Sequence, residues 1–320
     1  MLMARDAAAK LATAMPATPF PAATAPAATP PATTPPTIRE IHYRVDAKVL
    51  GHFPGHHRSK RGDSGFEFRG HAPLLDAPDP RRLDLHASLR DPFGAWQVRL
   101  YSQRKSIPVV VIADLSASMG FEGQGPHGKR RKLDVLADFT ESLAWSAWRT
   151  GDSFGFIGCD NTVRADLLQP ATRMRGAAAP IARSLRSFNA TGSSADGLLA
   201  AHRHLPRQRA LVFVVSDCHV TIEQLGAVLA SLANHDVVPV VLWDPAEFTL
   251  SVKRGLANVV DPETGRERLV WWRPALRAQW QAAGLARREA LTRLFRARRL
   301  KPLFVEGAFD ADAVTRHFHA

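Results

Sequence analysis

The chain has 320 residues, enough to bury a sizeable core and to hold one large or two small domains. Its two cysteines exclude a disulfide scaffold, and no apolar run reaches the roughly 18–20 residues of a membrane span. The formal charge of +12 is concentrated between Lys253 and Lys301, where 13 basic residues face four acidic ones, which directs attention to acidic surfaces or nucleic acid as partners.

Residues 1–37 read as a disordered tail. From Ala12 to Thr37 the chain is almost entirely Ala, Thr and Pro, without a charged residue, and cannot bury enough apolar surface to offset its ordering entropy. No Leu-rich segment follows the early basic residues, so no secretory signal is read and a cytoplasmic protein is expected. Residues 38–104 are polar and rich in His, Arg, Gly and Pro, and are expected to form an N-terminal extension packed on a sheet domain spanning 105–320.

Within that domain strand and helix patterns alternate, which predicts an α/β fold with a mostly parallel sheet covered on both faces. Ile107–Ala113 is short, apolar and rich in β-branched residues, the pattern of a buried parallel strand. Leu133–Arg149 has helical spacing. Phe154–Ile157 is the next strand, with a short edge strand at Val163–Leu168 across an Asp160-Asn161 turn. Helices are expected at Met174–Ser187 and Ala195–His204, a second buried strand at Leu211–Val215, a helix at Ile222–Asn234 and a strand at Val237–Leu242. Asp261–Gly265 reads as a hairpin turn. A long Arg-rich helix runs from Pro274 to Arg299, followed by a strand at Pro302–Val305 and a helix at Ala311–Phe318.

The chemistry concentrates where the first buried strand ends. Asp114, Ser116 and Ser118 stand at i, i+2 and i+4 in the loop after Ile107–Ala113. In an open α/β sheet the crevice outside the carboxyl ends of the strands is where ligands bind. Three small oxygen donors there suit a magnesium-like ion, which takes octahedral oxygen ligands and keeps several waters. Several other features read as bland. Gly123–Lys129 fits the first seven positions of a P-loop, but Arg130 stands where the magnesium-binding Ser or Thr belongs. The run Lys129–Lys132 precedes a helix N-terminus, where basic charge is mildly unfavourable, and reads as a solvated loop. His52, His56 and His57 lack a Cys or spaced carboxylate partner for zinc, Cys159 and Cys218 read as buried thiols, and a single histidine at His219 reads as structural.

The D-x-S-x-S pattern resembles the metal-ion-dependent adhesion site (MIDAS) of von Willebrand factor A domains. That resemblance implies a doubly wound, Rossmann-like sheet, a Thr or Ser ligand from a loop after the second helix, and an Asp ligand after the fourth strand. Asp217 stands at the matching place; in the loop Ala190–Leu198 the best register puts Ser193 at the ligand position, with Thr191 as the alternative. The ion implied is Mg2+ or another divalent cation such as Mn2+.

Upstream, Gly51-His52, Pro54–Ser59, Gly62–Phe68, Asp79–Asp84 and Ser88–Arg90 resemble an uncharacterised bacterial family of von Willebrand A-like proteins encoded beside MoxR-type AAA+ ATPases. The resemblance covers about residue 40 to the C-terminus. Many members carry membrane helices; the Pro/Ala/Thr tail here is similar to the soluble version found in methanol-oxidation gene clusters. The family implies a non-enzymatic, metal-dependent adaptor of a MoxR-type ATPase, gripping a carboxylate on the ATPase or its client, with upstream Gly, Arg and Asp building turns and ion pairs. The alternative is a nucleic-acid-binding protein using the basic C-terminal helix. A hydrolase lacks support, since no nucleophile, base pair or oxyanion constellation accompanies the metal ligands.

Overall fold

The computed structural model describes residues 38–44, 54–58, 67–102, 104–125, 128–248, 255–260 and 267–319. The expected tail at 1–37, His52 and the Asp261–Gly265 turn lie outside these residues, although the strands flanking that turn, Gly255–Val260 and Glu267–Trp272, pair antiparallel.

A six-stranded sheet forms the centre of the fold. Its strands are β1 (Pro108–Asp114), β2 (Ser153–Cys159), β3 (Val163–Thr172), β4 (Leu211–Ser216), β5 (Asp236–Trp243) and β6 (Leu303–Glu306). They lie side by side in the order β3-β2-β1-β4-β5-β6. All pairings are parallel except β2 with β3. This is the doubly wound arrangement expected, and its order reverses between β1 and β4.

β1 is buried along its whole length because both faces are covered. Val109, Val111 and Ala113 pack with Leu136 and Phe139 of α1 (Lys132–Arg149), Ile181 and Leu185 of α2 (Ala178–Ser187) and, farther along the same face, Val314 at the C-terminal end of the chain. Val110 and Ile112 face the other way, with Val212 and Val214 of β4, Leu198 and, from α3 (Ile222–Ser231), Val228. Beside them Val241 and Trp243 of β5 pack on Leu291 and Phe295 of α4 (Pro274–Ala297), and α5 (Ala311–His319) closes the chain.

Ile41 and Tyr43 enter the first core, Ile41 N donates to Ser146 Oγ at 2.8 Å, and Tyr43 Oη donates to Asp152 Oδ2 at 2.6 Å. Farther on, Asp84 caps a short helix (Leu85–Leu89) and pairs with Arg99 at 2.7 Å, while Asp79 pairs with Arg82 at 3.1 Å. Of the motif residues, Asp79, Arg82 and Asp84 thus make local turns and ion pairs.

Several boundaries differ from expectation for identifiable reasons. α2 starts at Ala178 rather than Met174 because Gly176 adopts φ +77°, a left-handed conformation that interrupts a right-handed helix. β3 continues to Thr172 through Pro170, which an edge strand tolerates because the missing N–H can face away from the ladder. Helix at 195–204 is confined to Gly197–Ala200 and a 3-10 turn, Ala201–His204. Glu122–Gly125 and Gly128–Arg131 pair antiparallel, so the described residues of the P-loop-like run have strand geometry. Among the described residues no helix is long and apolar enough to cross a membrane.

Candidate metal centre at the sheet's switch point

β1 and β4 are adjacent parallel strands, paired from Val109–Leu211 to Ala113–Val215, so their carboxyl ends open side by side where the strand order reverses. Asp114 ends β1 and Asp217 follows β4. Both are almost fully buried, at 1 % and 3 % exposure. Asp114 Oδ1 accepts from Ser116 N at 2.9 Å, and Oδ2 accepts from Ser216 Oγ at 2.7 Å. The Ser116 and Ser118 hydroxyls lie 3.2 Å apart, and Ser118 is among the groups that favour the charged Asp217 carboxylate. Four of the expected residues, Asp114, Ser116, Ser118 and Asp217, therefore converge.

The Thr191–Ser193 loop reaches the same crevice by its backbone: Ala117 N donates to Gly192 O at 2.9 Å. Gly197 holds the base of that loop. A Cβ there would fall 2.4 Å from the Thr162 carbonyl oxygen, so only glycine lets the loop lie on the β2–β3 turn. Ser193 and Thr191 are both exposed, and the Ser193 hydroxyl is engaged with Asn161 at 3.2 Å rather than with either carboxylate.

The electrostatics of the two carboxylates differ. Burial, followed by the neighbouring Asp217 charge, pushes the Asp114 carboxyl up to about 6; its hydrogen bonds oppose the rise only in part. Burial also penalises the Asp217 carboxylate, but the Lys132 and His219 charges outweigh it and bring the group down to about 2. Lys132 is the principal surprise. Instead of a solvated loop residue at a helix start, it is 5 % exposed, and its Nζ donates to Asp217 Oδ2 at 2.8 Å and also contacts Glu247. The hairpin before it aims the chain inward, so the ammonium crosses to the carboxylates and leaves the helix terminus.

Glu247 joins the site without a sequence motif to mark it. It sits in a 3-10 turn (Pro245–Phe248) directly after β5, held by a Trp280 Nε1 donor to its carbonyl at 2.8 Å. An acidic residue shortly after a third parallel strand end is the available signal. His219 also belongs to this network, with Nε2 3.8 Å from Asp217 and 3.5 Å from Glu247. Cys218, between the two site residues, adopts φ +57°, which a non-glycine side chain holds at a cost of about 1–3 kcal/mol when the surroundings enforce it. The enforcement is visible: its N–H donates to Ser216 Oγ at 2.8 Å, and Arg287 of α4 donates to its carbonyl at 2.5 Å and to that of Val220.

Several α4-region arginines are thus structural. Arg288 pairs with Glu306 at 2.7 Å and lies 4.7 Å from the Phe304 ring centroid, and Arg298 donates to Gly226 O at 3.2 Å.

The donor set fits a divalent ion. Among the described residues no cationic side chain forms an ion pair with Asp114, which is nearly sealed from water. A buried carboxylate in that position is costly unless a cation meets it. Two carboxylates and two hydroxyls are hard oxygen donors of the kind that hold Mg2+ together with water. Asp217, His219 and Glu247 also lie close enough to share an ion, but the Lys132 ammonium already satisfies two of them.

The family profile described as "Protein of unknown function DUF58" matches residues 78–290. An "Uncharacterized protein in moxR 3'region" of Paracoccus denitrificans is 36 % identical over 99 residues, which cover 31 % of this chain and 94 % of that protein. Among solved structures, BatB from Bacteroides thetaiotaomicron is 15 % identical, covering 67 % of this chain and 98 % of its own, with a TM-score of 0.38. The SpRpn10 VWA domain is 12 % identical over 66 % and 93 % of the two chains, with a TM-score of 0.39.

Proposed function

This chain belongs to the DUF58 family, and on that footing we propose that it is a non-enzymatic, divalent-metal-dependent binding module acting as the adaptor of a MoxR-type AAA+ ATPase. Asp114, Ser116, Ser118 and Asp217 hold the ion, with Ser193 or Thr191 as a further ligand. Mg2+ is the ion expected, and Mn2+ serves equally in the donor set. When bound, the ion supplies a Lewis-acidic position that a carboxylate of the ATPase or its client can occupy in place of water. The protein's own groups do the rest: Ser116 N and Ser216 Oγ orient Asp114, and Lys132 holds Asp217.

The observation that carries this reading is Asp114: a carboxylate sealed at the switch point without a cationic partner among the described residues. The moxR-region name of the relative supports the choice of partner. The test is binding of a purified MoxR-type ATPase, by titration calorimetry, in Mg2+, in EDTA and with Asp114→Ala. Capture only by the magnesium-loaded wild type supports the adaptor reading. Equal affinity in all three conditions sinks it.

A further inference from the structure

The ammonium of Lys132 lies beside the carboxylate that the proposed centre needs as a ligand. From the start of α1 it reaches two other elements, the loop after β4 and the 3-10 turn after β5. Its Nζ is 2.8 Å from Asp217 Oδ2, touches the Glu247 carboxylate, and stands 5.7 Å from the centroid of the Phe121 ring. Side-chain exposures of 5 % for Lys132 and 12 % for Glu247 leave little solvent to screen the pair.

We infer that Lys132 and Glu247 form a built-in counter-ion pair that sets how tightly the centre holds its divalent cation. This rests on the metal reading of Asp114 and Asp217. Lys132 weakens metal binding in two ways. It occupies a lone-pair direction of Asp217 Oδ2, and its fixed positive charge repels a second cation nearby. Glu247 opposes this by neutralising the ammonium and drawing it toward β5. His219, whose ring faces both carboxylates at 3.8 and 3.5 Å, leans on the same balance. The affinity of the centre is thereby set by residues that are not its ligands, and a partner carboxylate adds negative charge where Lys132 has subtracted it.

The two halves of the pair predict opposite effects. Mn2+ alone is the probe, titrated into full-length protein at pH 7.5 with free ion read by electron paramagnetic resonance. Lys132→Met keeps most of the side-chain volume and should bind Mn2+ about tenfold or more tighter. Glu247→Gln leaves the ammonium uncompensated and should bind about tenfold or more weaker. The double variant, with neither charge, should return toward wild type, and it keeps the test available should a lone buried charge unfold either single variant. Equal affinities across the series, or Lys132→Met binding more weakly, overturn the counter-ion role while leaving the metal reading intact. Binding by Lys132→Met but not by wild type supports it in its strongest form. Mn2+ binding by none of the four proteins overturns both it and the metal reading.

Discussion

Replacing Asp114 by Asn should stabilise the metal-free protein while removing its response to metal. The folded-state carboxyl sits at about 6, against an ordinary value of 3.8, because burial and the Asp217 charge disfavour its ionised form. Proton binding is therefore favoured by folding. The stabilising contribution of the protonated group is complete below about pH 4 and is lost as pH rises through 6. At pH 7.5, with the group ionised, the gap corresponds to about 3 kcal/mol at 1.36 kcal/mol per pH unit. Asn is nearly isosteric and keeps an acceptor for Ser116 N, while the Ser216 hydroxyl can rotate to receive its amide.

In EDTA at pH 7.5, Asp114→Asn should therefore melt above wild type, by roughly 6–12 °C for a domain of this size. Below pH 4 the two should coincide. Adding millimolar Mg2+ should raise the wild-type Tm, because ligand binding to the folded state stabilises it by mass action, and should leave the variant unmoved. Differential scanning fluorimetry across pH 3.5–8, with and without Mg2+, separates these effects. An Asn variant less stable than wild type in EDTA at pH 7.5 would refute the view that Asp114 carries an unmet charge.

Cys218 and Cys159 are buried, and burial followed by nearby aspartate charge raises both thiols, Cys218 to about 12. Iodoacetamide at pH 8 should modify Cys218 about a thousandfold more slowly in native than in unfolded protein, as the thiolate fraction dictates, and Cys159 more slowly still; equal rates would show an open site. Arg287→Met removes the donors that hold the carbonyls of Cys218 and Val220, and should cost about 2 kcal/mol in urea unfolding while accelerating Cys218 alkylation. Gly197→Ala forces a Cβ onto the Thr162 carbonyl and should cost about 1–3 kcal/mol; an unchanged unfolding midpoint would show that the loop yields freely.

The sheet and half of the centre are legible in the sequence because their signals are local. A run such as Val109–Ala113, short, β-branched and apolar on both faces, reads as a covered strand, and the residues immediately C-terminal to it then emerge at the crevice. Asp114 is therefore readable from its position after such a run, and Asp217 follows another such run at the place the family resemblance implies. The Asp217 environment is not, because Lys132 lies 85 residues away in sequence and Glu247 lies 115 residues from Lys132. A lysine in a basic run before a helix has a local reading, solvation, and nothing in its neighbours reveals that a hairpin turns it inward. His219 is obscured in part: alone it reads as structural, Asp217 lies two residues before it, and only the fold brings Glu247 to its ring. The start of α2 is hidden for a smaller reason, since Gly176 is permissive in a helix pattern yet adopts φ +77° here.

The cationic C-terminal region carries the same lesson in the opposite direction. Its composition alone admits nucleic acid as a partner. In the fold, Arg287 restrains the Asp217–His219 loop, Arg288 bridges to Glu306 and covers Phe304, and Arg298 caps a carbonyl of α3. These side chains direct their donors at carbonyls and a carboxylate, so the charge they contribute to the count is not offered to a phosphate backbone. A protein that read nucleic acid with this helix would lose affinity steeply with salt and ignore chelators. The centre between β1 and β4 requires the reverse: sensitivity to chelators, and only the modest salt dependence of a buried site. Measuring ATPase binding from 50 to 300 mM salt with and without EDTA therefore distinguishes the two chemistries on one sample, and a steep salt slope untouched by EDTA would return the function to the helix.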